Sequence, residues 1–230
     1  DLGVDMLELQ RKNLVEPDGV DQRFNEPHGN PRPLDCLERG VELFGYAAAV
    51  QQAQAFNASG GRYRMGVGLG VGAHGNGMYG VKADLTAIII KMNEDGSLIM
   101  YTGTHEMGTS AVTTQAQLVG GILGISMDRI ECVMSDTELT PYQLADYSSR
   151  GVFVSAHAAG KCAVKMKEEV VVYAGELLEC EPGQVELSDN CAWYGDKKVT
   201  LEQIAGHART KHDREIITEL TFASAGLATS

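Results

Sequence analysis

Residues 83–110 read ADLTAIIIKMNEDGSLIMYTGTHEMGTS. Two runs rich in β-branched and aliphatic residues flank Glu94-Asp95-Gly96-Ser97, and Asp-Gly between such runs is a strong hairpin signal. The pairing predicts two strands and leaves Gly103 to Gly108 at the exit of the second. Thr109 or Ser110 is then placed to cap a helix with apolar face Val112, Ala116, Val119 and Leu123, which Gly124 ends. Strand, small-residue turn and helix in succession predict an α+β chain of mixed sheets covered by helices.

Downstream, DRIECVMSD (128–136) reads as a strand and DTELTPYQLADYSS (136–149) as a loop. A long helix follows from about Ser149 to Glu179, with Val152, Ala156, Ala159, Ala163, Met166 and Val170 on one face. A hairpin over Gln184 to Tyr194 comes next. Thr200 with Gln203 three residues on is close to a capping box for a further helix. The closing TELTFASAGLATS shows no obvious element, which reads as a segment of a longer polypeptide.

Upstream, Asp5 to Asn13 suits a short helix, and 16–33 carries four of the six prolines and reads as an extended connection. Residues 1–33 are thus a connector and 34–230 the α+β domain. Leu34, Leu37, Val41, Phe44 and Ala48 follow at steps of three and four, predicting one helix that runs to Asn57 with that face in the core. RMGVGLGVGAHGNGMYG (64–80), with seven glycines, fits a strand followed by a loop.

The composition is globular, with 43% hydrophobic and 22% charged residues, which excludes a disordered chain. A net charge of -12 argues against nucleic-acid binding through bulk electrostatics, but a local anion pocket of backbone N–H groups survives it. The five cysteines are scattered with no C-x-x-C pair, and no cluster of histidines completes a zinc or iron-sulfur site. They read as reduced thiols of a cytoplasmic protein. No apolar run approaches the ~20 residues that span a bilayer.

Two junctions carry the chemistry: HEMGTS at 105–110 and ADYSSR at 145–150, each polar and each opening a helix. Helix N-termini offer N–H groups without intrahelical partners, and two side by side can hold a long phosphorylated group. Thr109, Ser110, Ser148 and Ser149 can equally serve as ordinary helix caps. Gly103 and Gly108 can serve turn geometry alone.

The ordered set GTHEMGTS, LGI, DRI and SDTELTPYQLADYSSR resembles the second molybdenum-binding half of the molybdenum hydroxylases, the xanthine dehydrogenase and aldehyde oxidase family. The family pattern there is roughly G-x-x-E-x-G-Q-G, a helix, a strand, a D-T-D-x-T-P-like loop and S-S-R. GVDMLELQRKNL (3–14) is also similar to a family connector. The resemblance implies a molybdopterin-binding portion of an oxidoreductase acting on an N-heterocycle, aldehyde or aromatic substrate. Its cofactor would be molybdenum-molybdopterin, with or without an added nucleotide. Iron-sulfur clusters and FAD would sit on partner subunits or other domains.

By the same resemblance Gly108, Thr109 and Ser110 match the G-Q-G turn that meets the pterin. Tyr147, Ser148, Ser149 and Arg150 match the loop against the metal and dithiolene end, and Met78 and Tyr79 match positions lining the substrate channel. Thr109 departs from the family glutamine and lacks its paired donor and acceptor, and Ser110 lacks glycine's freedom. Either backbone N–H groups hold the pterin, or this copy binds it weakly. Glu106 matches a structural glutamate. The family's general base lies in a G-x-G-E-P-like loop that this sequence lacks, so neither a catalytic residue nor a metal ligand is assigned, and the isolated chain is expected to be inactive. His74 and His105 read as solvent-facing or hydrogen-bonding. The competing reading is a scaffold or interaction domain that has lost the cofactor, supported mainly by Thr109.

Overall fold

The computed structural model describes residues 3–22, 25–74 and 84–224. They fall into two compact units, one before and one after the segment 75–83. Met78 and Tyr79, the expected channel residues, lie outside the described residues.

In the first unit, Asp5 caps α1 (Met6–Asn13) by accepting from the N–H groups of Leu7 and Glu8. A short ribbon of β1 (Val20–Asp21) and β2 (Glu26–Pro27) follows. The single helix expected from Pro33 is instead two, α2 (Pro33–Phe44) and α3 (Tyr46–Ala58). Gly45 breaks it by adopting φ 68°, a left-handed conformation that ends one helix and starts another. The apolar spacing continues across the break but does not mark a core, since Leu37 is buried while Phe44 is 64% exposed. Nor does the glycine-alternating run form a strand: residues 62–74 are irregular, and most are exposed.

The second unit is built on the expected hairpin. β3 (Leu85–Met92) pairs antiparallel with β4 (Leu98–Thr102), and β4 pairs in parallel with β5 (Ile130–Met134). Between those two run α4 (Ala111–Leu123) and a short 3-10 turn at Met127–Arg129. α5 (Arg150–Leu178) follows the loop and starts and stops within a residue of its expected limits. β6 (Glu186–Ser188), β7 (Cys191–Tyr194) and β8 (Lys197–Thr200) form a second sheet. Thr200 caps α6 (Leu201–His212) with both halves of a capping box. β9 (Ile217–Ala223) then returns to pair antiparallel with β3, giving the mixed order β5-β4-β3-β9. β8 and β9 are additions to the sequence reading. β9 alternates exposed Ile217, Glu219 and Thr221 with inward residues, so a half-polar strand hid in a segment with no turn signals.

Alternation places the core. Thr86, Ile88, Ile90 and Met92 of β3 and Leu98, Met100 and Thr102 of β4 are buried, and the intervening residues are half-buried. Against that face pack Val119 of α4 and Ala159, Ala163, Met166 and Val170 of α5, all completely buried. Each large aliphatic side chain so enclosed contributes about 1.5–3 kcal/mol. Val152, expected on this face, is 40% exposed. No helix among the described residues is long and apolar enough to cross a membrane.

Candidate functional site

The two junctions meet at one end of this unit. β4 stops at Thr102, opposite Ile88, yet β3 continues back to Leu85. The loop 141–143 takes the vacated place beside it: Ala87 N–H donates to the Tyr142 carbonyl at 3.2 Å, and Thr86 bridges to Gln143. A Cβ on Gly103 would lie 2.4 Å from the Gln143 Cβ and 2.8 Å from the Pro141 oxygen. Gly103 is therefore glycine so that the second junction can cross the first.

Asp146 ties them together. Its Oδ2 accepts the His105 backbone N–H and meets the His105 ring Nδ1, both at 2.9 Å. Its Oδ1 accepts from Gln143 Nε2 at 3.0 Å, and a Cβ on Gly151 would come within 3.1 Å of it. The same Cβ would sit 3.7 Å from that of Ala111, so the first turns of α4 and α5 lie side by side.

Arg150 anchors the second junction from inside. Its side chain is fully buried, Nε pairs with Asp84 Oδ1 at 2.7 Å, and the two terminal nitrogens donate to Ala145 O at 2.6 Å and Leu85 O at 3.0 Å. Its backbone N–H donates to Tyr147 O at 3.0 Å. Arg150 thus holds the turn from beneath, while Ala145, Tyr147 and Ser149 above it are exposed.

The turns are not simple side-chain caps. Ser110 and Ser149 occupy the N-cap positions of α4 and α5 with φ 56° and 52°, and neither makes a side-chain cap bond. Ser148 is left-handed too, at φ 50°. Such conformations cost an L-residue roughly 1–2 kcal/mol, and their effect is to turn successive N–H groups toward one side. At the first turn Glu106 uses those groups: its carboxylate accepts from Gly108 N–H at 2.8 Å and Ser110 N–H at 2.9 Å. The Ser110 N–H, with those of Gly108, Thr109 and Val112, holds this carboxyl below the usual glutamate range. At the second turn the N–H groups of Ser148 and Ser149 have no acceptor among the described residues. The expectation that both turns offer open donors therefore holds for 148–149, whereas Glu106 occupies 108–110.

Beneath the first turn, Gln115 donates to Thr104 Oγ1 at 3.0 Å, and its fully buried Oε1 has no partner among the described residues. Gly108 takes φ 93° with open space where a Cβ would be. The second left-handed turn, with open donors on an exposed surface, suits an anionic group such as a phosphate, while Glu106 fills that role at the first.

A family model described as molybdopterin cofactor-binding domain matches residues 39–226. The chain belongs to that family. Among its relatives is the putative xanthine dehydrogenase molybdenum-binding subunit of Escherichia coli, 25% identical over 178 residues, 77% of this chain and 23% of that protein. The carbon monoxide dehydrogenase large chain of Afipia carboxidovorans is 29% identical over 201 residues, 80% of this chain and 24% of that one. The chain thus spans about a quarter of the length of these relatives. In fold it matches quinoline 2-oxidoreductase from Pseudomonas putida 86, with a TM-score of 0.66 and 18% identity over 96% of this chain and 30% of that one. The mixed sheets with packed helices are those of this molybdopterin-binding family.

Sequence reading had pointed to the two junctions but not to what joins them. Asp146 and Gln143 lie inside the quoted SDTELTPYQLADYSSR without a role of their own, and Asp84 belongs to no motif. Their only signal is polarity inside otherwise apolar or turn-forming segments, which contact alone makes informative.

Proposed function

We propose that the two joined turns hold part of a molybdenum-molybdopterin cofactor in a xanthine dehydrogenase-like oxidoreductase. The observation that carries this reading is the Asp146–His105 tie, which sets two helix N-termini beside one exposed surface. Ser148 and Ser149 donate backbone N–H groups to the cofactor's oxygens. Gly108, Thr109 and Ser110 supply the neighbouring wall, the Thr109 hydroxyl standing in for an amide. Tyr147 covers the second turn, and Arg150 is a positioning residue acting through it. The bound group supplies oxygen-transfer and electron chemistry, and the protein orients it. The substrate is an N-heterocycle, an aldehyde or an aromatic compound, the class that the family resemblance implies. Electrons leave to iron-sulfur and flavin centres on partner subunits or other domains of a cytoplasmic assembly. The left-handed serines, strained without capping, favour this reading over a scaffold that has lost its ligand.

Ser149→Leu in the full-length subunit, purified with its partners, tests it. Ser149 is exposed and outside the core, so the fold should persist while molybdenum content and pterin fluorescence fall by most of their value. Ser149→Ala, with the same backbone conformation and little bulk, should keep both. Full molybdenum content in the leucine variant would overturn the proposal.

A further inference from the structure

At the other end of α5, three side chains from two helices converge. Glu176 projects from α5, and His207 and His212 from α6. Both imidazole Nε2 atoms lie 2.7 Å from the same oxygen, Glu176 Oε2. The three potential ligand atoms all fall within 4.8 Å of one another. We propose that Glu176, His207 and His212 form a binding site for a divalent transition-metal ion of the zinc class, which pins the end of α5 to α6.

The donor set decides the class of ion. Two imidazole nitrogens and one carboxylate oxygen suit zinc, cobalt or nickel, and are poor ligands for calcium or magnesium, which take oxygen cages. Around a tetrahedral ion with bonds of about 2.0–2.1 Å, neighbouring ligand atoms stand about 3.3 Å apart. The present spacings need only small outward swings of side chains that are partly exposed, 16% for His207, 35% for His212 and 42% for Glu176. On binding, each neutral ring carries its proton on Nδ1 and turns the Nε2 lone pair to the metal. Solvent completes the coordination at this open face.

The frame is rigid where the ligands are not. α6 is seated by buried Leu201, Ile204 and Ala208, and α5 by Tyr173, Ala174 and Leu178. The Tyr173 ring lies 4.9 Å from that of His212, fixing one face of the imidazole. The neighbouring cation Arg214 pairs with Glu169 at 3.4 Å, a different carboxylate. Glu176 is 26 residues along α5 from Arg150, about 39 Å at 1.5 Å per residue, so this site stands or falls separately from the cofactor reading.

Calorimetric titration of Zn(II) into the chelator-treated full-length protein tests it. Unmutated protein should show a site that His207→Ala and His212→Ala each weaken by about tenfold or more, and zinc should raise the melting temperature of the unmutated protein alone. Superimposable isotherms for the unmutated protein and the double histidine variant would overturn the proposal. If a variant misfolds, diethylpyrocarbonate footprinting of the unmutated protein decides. Zinc should shield His207 and His212 while leaving His28, His74 and His157 reactive, and unshielded His207 and His212 would overturn it.

Discussion

Asp84 and Arg150 form an ion pair of 2.7 Å between side chains that are 1% and 0% exposed. The pair joins the residue before β3 to the first residue of α5, so the sheet and the second turn share one electrostatic anchor. Removing the cation leaves the carboxylate in a medium that penalises charge, at a cost of about 3–5 kcal/mol. Arg150→Met should accordingly lower the urea midpoint steeply. Arg150→Lys should recover part of it, since an ammonium can face Asp84 but cannot also reach Ala145 O and Leu85 O in the same fork. Equal midpoints for all three proteins would refute this role.

Gly103→Ala should be destabilising by about 1–3 kcal/mol, because its methyl would meet backbone and Cβ atoms that cannot swing aside. The loss should be accompanied by faster amide exchange over 140–147. Unchanged exchange there would mean that the crossing is looser than the geometry implies.

Glu106 makes stability depend on pH in a defined direction. Its carboxyl is depressed in the folded state below an ordinary value of 4.5, chiefly by the Ser110 N–H. The stabilisation is therefore complete above that ordinary value and is lost as the pH falls through the lower, folded one. Melting temperatures of the unmutated protein and Glu106→Gln should converge as the pH drops from 6 through the acidic range below 4.5. Parallel curves would contradict it.

Thr109→Gln introduces, at an exposed position, the longer amide that the family resemblance implies for this turn. Molybdenum retention in the full-length subunit should be unchanged or higher. A drop would show that the turn in this chain is shaped for the shorter hydroxyl.

Cys162 and Cys36 should separate cleanly in alkylation. The Cys162 thiol is buried, bonds to Thr218 O at 3.3 Å and is pushed up to about 12, while Cys36 is exposed. Mass spectrometry after iodoacetamide at neutral pH should find Cys36 modified and Cys162 intact until the protein is denatured.

The elements read correctly from sequence are those whose signals are local. Asp95-Gly96 fixes the hairpin, Gly124 ends α4, Ser149 and Glu179 bracket α5, and Thr200 with Gln203 opens α6. The failures are equally physical. The periodicity of residues 34–48 runs straight through Gly45, whose left-handed φ is invisible to a hydrophobic pattern. β9 earns its place only by pairing with β3, and at 66–72 Val67, Leu69 and Val71 alternate with glycines, which leave the opposite face nothing to pack. At the site the motifs located both turns. The seat of Glu106 on the first turn is a local contact over two and four residues, but the Asp146 tie to the second junction spans 41 residues, which spacing does not encode.

The placement of β9 beside β3 has a consequence for biosynthesis. β3 is an interior strand, but the partner on its outer side is made 125 residues after Met92, at Ile217. At ribosomal speeds of 5–20 residues per second this is on the order of 10 s. During that time Ile88 and Ile90 belong to a strand with one unpaired edge, a template for pairing with other nascent chains. A chaperone that shelters aliphatic β-segments would thus be most needed between the emergence of the hairpin and that of the final strand.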